Sequence, residues 1–265
     1  VWGQFYLKDK MENKTSIPKN TLVGFAINVI IFAVGTLTSI LVVRILGPKN
    51  QGVYFMVMTI NYMAVSLGNL GLGIANTTFL AQKKYSISDI HLNSIITAAG
   101  VGTICIALYL IFQEFLYSTI FQGIEPLYVI AGIAIVPFSM YMLFWNSIMV
   151  GLNEIILLNK ILFIQTILSS VLLLVALIIL QQGINGAIGA WLLANILSVG
   201  IMFRLLHRMD RVTIKINYSS FKESLFFGLK SHVGGIATYI WLRLDAFLLN
   251  MYHGATAVGY YSVAV

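Results

Sequence analysis

Three formally charged side chains stand inside long apolar runs, and all three fall in one stretch: Lys230, Arg243 and Asp245. Burying such a group near a bilayer centre costs at least about 2.5–3.5 kcal/mol, so intramembrane charges usually face a polar cavity or mark a pathway. Depth separates the three. Lys230 lies two residues into the 228–250 stretch, close enough to one membrane face to snorkel as an anchor. Arg243 and Asp245 lie in its outer third, roughly 7–10 Å past the centre at helical rise, where snorkelling is harder. On a continuous helix, residues two apart point about 200° away from each other, so the two charges require separate partners. Another helix, a ligand or water would serve. His232, Tyr239 and Arg243 recur at spacings of seven and four, which predicts a polar stripe along a cavity. The competing reading is that Asp245 pairs with a base elsewhere and only fixes helix packing.

The elements that hold these residues are membrane spans. The chain is 59% hydrophobic and 9% charged, against roughly 25% charged residues in soluble domains. Crossing about 30 Å of hydrocarbon takes about 20 apolar residues, and seven runs meet that length: 21–43, 53–81, 92–112, 127–150, 161–180, 184–203 and 225–250. An eighth begins near Ala257. Residues 161–203 contain no Asp, Glu, Lys or Arg, yet as one helix they would extend about 65 Å, twice the bilayer core. Gln181-Gln-Gly-Ile-Asn-Gly186 supplies the turn that divides them.

Basic residues set the orientation. With a cytoplasmic N-terminus, twelve Lys and Arg fall inside and two, Arg44 and Lys49, outside. The net charge of +7 is therefore a topological address with weak attraction to anionic lipid, and no nucleic-acid partner is expected. The single cysteine, Cys105, excludes an intrachain disulfide.

Other polar residues within spans, among them Asn28, Thr36, Thr38, Asn61, Asn69, Asn76 and Asn195, either line a cavity or form interhelical hydrogen bonds. Gly68-Asn-Leu-Gly71-Leu-Gly73 follows no strand and predicts a kink or close helix crossing rather than a phosphate loop. Pro137 predicts a kink in the fourth span. Neither a nucleophile elbow nor a His-Glu-x-x-His metal motif is present, so no catalytic residue, metal or cofactor is expected and the chain is read as a non-enzyme.

Gly47-Pro-Lys-Asn-Gln-Gly52-Val-Tyr54 and Gly254-Ala-Thr-Ala-Val-Gly259-Tyr-Tyr261 share their punctuation at a separation of 207 residues. Each separates two apolar runs. Shifting 21–43 by the same interval gives 228–250, nearly the seventh run. Internal repeats of this kind are a transporter signature. The expected organisation is a cytoplasmic segment 1–20, a six-helix bundle 21–203, a cytoplasmic linker 204–224 and the start of a second bundle at 225–265. The sequence is expected to be the N-terminal part of a longer protein.

The segment Val42-Val-Arg44-Ile-Leu-Gly47-Pro-Lys-Asn-Gln-Gly52-Val-Tyr54, with Leu70-Gly-Leu-Gly73, resembles the first hairpin of polysaccharide-export flippases. Arg243-Leu-Asp245-Ala-Phe-Leu-Leu, leading to Gly259-Tyr-Tyr-Ser-Val-Ala264, resembles their span seven to span eight junction. These flippases belong to the multidrug/oligosaccharidyl-lipid/polysaccharide exporter superfamily. The resemblance implies an all-α polytopic fold of two six-helix bundles, working by alternating access in the cytoplasmic (inner) membrane. It implies a cargo of polyprenyl-pyrophosphate-linked oligosaccharide for surface polysaccharide biosynthesis, with an ion gradient or the membrane potential as driving force. Cavity cations would meet the pyrophosphate, a role that suits Arg243 and Lys230 because guanidinium and ammonium groups bind phosphate oxygens. His232 and Tyr239 would share that wall, and Asp245 would tune the charge or couple an ion. The alternatives are a cation-coupled multidrug exporter of the same fold and, of a different class, an integral-membrane glycan polymerase or transferase. The first would be favoured by carboxylates in the first bundle, yet the first six runs contain none. The second needs a large external loop with catalytic acids.

Overall fold

The computed structural model describes residues 17–209, 217–241 and 243–264. Every regular element among them is helical: α1 (Ile17–Gly68), α2 (Leu72–Ala81), α3 (Ile87–Thr119), α4 (Pro126–Ala134), α5 (Val136–Gly151), α6 (Ile155–Leu174) with a π-turn at Val175–Ile179, α7 (Gly183–Met209), α8 (Tyr218–Trp241) and α9 (Leu244–Ala264).

As a straight rod the 52 residues of α1 would reach about 78 Å, far beyond the hydrocarbon core. Gly47, at φ 69° and ψ 171°, breaks it in two. Gly254 breaks α9 in the same conformation, φ 75° and ψ 176°. That backbone region is open essentially to glycine alone, so the repeated punctuation in sequence is a repeated bend in structure.

The expected runs map onto the helices with internal breaks. The second run is the latter part of α1 followed by α2, with Leu70 and Gly71 in left-handed conformation between them. Gly71 there meets α8: an added Cβ would fall 2.0 Å from the Gly228 carbonyl oxygen. The Gly68–Gly73 segment is thus both a kink and a close crossing. Pro137 occupies the first turn of α5, just past the division from α4, where its missing N–H costs nothing. Ser86 starts α3 with a capping box, its Oγ accepting the Asp89 N–H at 3.0 Å. The stretch 204–224 is helical at both ends, since α7 runs to Met209 and α8 begins at Tyr218.

Among the described residues, five helical stretches are long and apolar enough to span a bilayer: Gly24–Gly68, Ile87–Thr119, Pro126–Gly151, Ile155–Ile179 and Gly183–Met209. The protein is a multi-pass membrane protein. Large apolar side chains such as Phe32, Ile111 and Phe115 are exposed, as lipid-facing residues should be. Inside, two apolar clusters stack along the bundle. One unites Met56, Val57, Val129, Leu177 and Ala246; the other unites Leu72, Ile90, Phe144, Trp145 and Met202.

Candidate functional site

The segment bearing the charges is interrupted where they sit. α8 ends at Trp241 and α9 begins at Leu244, with the Arg243 N–H closing a turn onto the Ile240 carbonyl at 3.2 Å. The expected geometry of one continuous helix, with Arg243 and Asp245 on opposite faces, is therefore replaced by a helix end and a helix start. Asp245 lies in the first turn of α9, where a carboxylate meets the positive end of the helix dipole. Its Oδ1 accepts the Ala246 N–H at 2.7 Å and its Oδ2 accepts the Tyr261 hydroxyl.

Arg243 is half-buried. Its guanidinium carbon is 5.1 Å from the ring centre of Tyr62 and 5.7 Å from that of Phe55, within cation–π range of both. The two rings are seven residues apart on α1 and so share a face. Arg243 and Asp245 form no ion pair with each other among the described residues.

The remaining predicted residues lie elsewhere along α8. Lys230 is exposed, its Nζ 4.3 Å from the ring centre of Phe226 one turn earlier. His232 is buried, and its Nε2 donates to the Leu67 carbonyl of α1 at 3.1 Å. The Tyr239 side chain lies outside the described residues. The 11 helical steps from Lys230 to Trp241 at the end of α8 span roughly 16 Å, so Arg243 and Asp245 share one locality and Lys230 and His232 another.

Two polar cavities accompany these localities. A cavity of about 390 Å³ lies beside His232 and is lined by Asn69, Thr77, Thr78, Ser147 and Ser231. A larger one, about 580 Å³, runs between α1 and α6. Thr38, Gln51, Tyr54, Gln165, Ser169 and Ser170 line it, and none of its lining residues among the described ones is charged. Thr38 Oγ1 donates to Ser170 Oγ at 2.9 Å and Gln51 Nε2 to Ser262 Oγ at 3.4 Å. The Gln51 Oε1 and the Tyr54 hydroxyl are buried without a hydrogen-bond partner among the described residues. Phe55, one of the rings under Arg243, also lines this cavity.

Of the polar span residues, Asn28 and Thr38 line the larger cavity, Asn69 the smaller and Thr36 a third. Asn76 donates to Ser94 at 3.0 Å, Asn195 to the Trp191 carbonyl at 2.8 Å, and Asn61 to the Gly132 carbonyl at 3.5 Å. Sequence reasoning missed Gln51, Tyr54, Tyr261 and the α6 wall. Gln165, Thr166, Ser169 and Ser170 stand at i, i+1, i+4 and i+5, a helical-period polar stripe that identifies one face of an apolar span.

At the start of α8, Glu223 bonds both Lys84 Nζ and the Tyr85 hydroxyl, and Asn93 Nδ2 donates to Ser220 Oγ at 3.0 Å. The hydrogen bond to Glu223 raises the Lys84 pKa above its ordinary value. The bonds from Lys84 and then Tyr85 lower that of Glu223.

This arrangement of helices and the sequence along it match one family model, described as polysaccharide biosynthesis protein, over residues 17–265. The chain belongs to that family. No curated protein matches the sequence. Among solved structures, an inward-facing multidrug resistance MATE family transporter of the MOP superfamily is similar at a TM-score of 0.66 and 18% identity, over 87% of this chain and 56% of that one. An outward-facing structure of such a transporter is similar at 0.63 and 20% identity, over 92% and 57%. A MOP superfamily transporter from Pyrococcus furiosus, described as having a binding pocket of reverse polarity that suggests a different function, is similar at 0.63 and 19%, again over 92% and 57%. At these identities the likeness is one of fold: this polysaccharide biosynthesis family member shares the all-α fold of the matched part of those structures. The chain spans less than three fifths of the length of these structures.

Proposed function

We propose that the protein is a flippase that carries polyprenyl-pyrophosphate-linked oligosaccharide across the cytoplasmic membrane for surface polysaccharide biosynthesis. Alternating access between two bundles moves the cargo, with 21–203 as the first bundle, 204–224 as the cytoplasmic linker and 225–265 opening the second. The N-terminus is cytoplasmic, and an ion gradient or the membrane potential drives the cycle.

One observation carries this reading. Arg243 sits at a helix break within a membrane segment, supported by two aromatic faces and free of an ion pair with Asp245 among the described residues. A guanidinium held this way keeps donors for an external anion, and pyrophosphate oxygens match its fork bidentately. The first six spans offer no carboxylate to a cationic cargo. In this reading Lys230 meets the cargo nearer the cytoplasmic face. His232 and Tyr239 belong to the intervening wall, and Asp245, held by Tyr261, tunes the charge or couples an ion.

The test is made in cells carrying the full-length protein. Arg243→Ala is expected to lower surface glycan while the protein still inserts at wild-type abundance. Unchanged glycan would overturn the anion-contact role. Loss of drug resistance without loss of glycan would favour a cation-coupled exporter instead.

A further inference from the structure

We propose that Arg44, with the hydroxyls of Thr36 and Ser39, forms a second phosphate-binding site, taken up by the pyrophosphate of the lipid-linked cargo. The choice of that lipid rests on the flippase reading. The site itself stands on α1 and α9 and shares no residue with the Arg243 locality.

The third cavity, about 820 Å³ in volume, lies between the first half of α1 and the end of α9. Thr36, Ser39, Ile40 and Arg44 recur along it at helical spacing, so one face of α1 forms its wall. Its polar groups are accessible and uncommitted. Arg44, Thr36 and Ser39 are all exposed, and none of the three side chains has a hydrogen bond or ion pair among the described residues. Hydroxyls in helices often turn back onto the carbonyl four residues earlier, as Thr38, Thr59 and Thr103 do here. Thr36 and Ser39 do not, so each keeps its donor for a ligand. Helical side chains lean toward the N-terminus of their helix, which carries the Arg44 guanidinium back over Ile40 toward those hydroxyls. One cation, two hydroxyl donors and no carboxylate among the described lining residues suit a phosphate group.

The repeat relates this cavity to Arg243. Thr36 and Arg243 are 207 residues apart, as are Phe55 and Ser262. Arg243 packs on Phe55, and Thr36 shares its cavity with Ser262, so the two localities are counterparts under the pseudo-symmetry of the repeat. Thr36 has no charge to match that of Arg243. Arg44 supplies one from eight residues further along α1, roughly 12 Å at helical rise, and its own counterpart is the uncharged Met251. The two cations are therefore staggered along the bundle, with Arg44 nearer the bend at Gly47. The rest of the wall, including Phe32, Val43 and Val263, is apolar. A phosphate held at Arg44 can thus carry a hydrocarbon chain lying along that wall, as a phosphate-bearing lipid requires.

The experiment uses the full-length protein in phosphatidylcholine nanodiscs and two probes, polyprenyl pyrophosphate and phosphatidylglycerol. The first carries phosphate on a cargo-type lipid and the second on a bulk lipid. Arg44→Gln, Arg44→Lys and Thr36→Val/Ser39→Ala are made both in the wild type and in the Arg243→Ala protein, and thermal unfolding confirms that each is folded. In both backgrounds Arg44→Gln is expected to weaken polyprenyl pyrophosphate binding roughly tenfold and the hydroxyl pair about threefold. Arg44→Lys should fall between Arg44→Gln and its parent. If Arg44→Gln binds both probes as its parent does, the phosphate site is overturned, and the flippase reading survives where polyprenyl pyrophosphate binding still depends on Arg243. If wild type binds phosphatidylglycerol in an Arg44-dependent way but not polyprenyl pyrophosphate, the phosphate site stands with a bulk lipid as occupant and the flippase reading falls. If wild type binds neither probe, both fall.

Discussion

Gly52 and Gly259 lie against each other's hairpins in a reciprocal contact. A Cβ added to Gly52 would fall 1.7 Å from the Ala255 carbonyl oxygen and 2.8 Å from the Gly259 nitrogen; one added to Gly259 would fall 1.8 Å from the Pro48 carbonyl oxygen. Positions 48 and 255, like 52 and 259, are separated by the repeat interval of 207. The contact is therefore the same contact made twice about a local pseudo-two-fold, joining the segment after the Gly47 bend to the segment after the Gly254 bend.

Because the obstructing atoms are backbone, no rotamer change relieves them. Gly52→Ala and Gly259→Ala should each destabilise the full-length protein by about 1–3 kcal/mol, the usual range for overpacking. Thermal unfolding in detergent measures this. Gly100→Ala, in open space on α3, should be neutral or stabilising by up to about 1 kcal/mol.

The bends are a separate device with a separate test. Nothing lies within 4 Å of a Cβ at Gly47 or Gly254, so Ala there meets only the unfavourable backbone region. Each substitution should cost about 1–3 kcal/mol, and the two costs should agree because the conformations do. A large difference between the two unfolding midpoints would contradict their equivalence.

These bends and Pro137 were legible in the sequence because glycine and proline act through their own backbone, whatever surrounds them. The break between Trp241 and Leu244 was not, since residues 228–250 contain no proline and read as one apolar run. The available signal was Asp245, a residue type suited to the start of a helix. The larger cavity was half legible. Asn28 and Thr38 stood out against apolar neighbours, whereas Gln51 lay between two runs and Tyr54 merged with the second run. The contacts of Arg243 with Phe55 and Tyr62 depend on how α8 and α9 pack on α1, which no local pattern encodes.

The contact between Glu223, Lys84 and Tyr85 should depend on pH at its extremes. The lowered Glu223 pKa means its contribution is present above the ordinary carboxylate pKa and is lost as pH falls through the lowered value. The raised Lys84 pKa means its contribution is present below the ordinary lysine pKa and is lost as pH rises through the raised value. The distance between labels flanking residues 84 and 223 should thus be constant near neutrality and increase in acid. Glu223→Gln should abolish the acid step. All three groups are solvent-accessible, so the effect on global unfolding should be small.

The Thr38–Ser170 hydrogen bond joins α1 to α6 across the floor of the larger cavity. A double-mutant cycle with Thr38→Val and Ser170→Ala should give a coupling of about 0.6 kcal/mol, the average for interhelical hydrogen bonds in membranes, and at most about 1.7. Zero coupling would mean the two helices are held by packing alone.

The central claim is that Arg243 grips the pyrophosphate of a lipid-linked glycan, and translocation measured directly tests it best. In proteoliposomes of the full-length protein, Arg243→Ala should slow the movement of lipid-linked oligosaccharide between leaflets by about 10- to 100-fold, the equivalent of one lost charge-assisted hydrogen-bonding group. Arg243→Lys should retain an intermediate rate, keeping the charge without the bidentate fork. Wild-type rates in both variants would contradict the account.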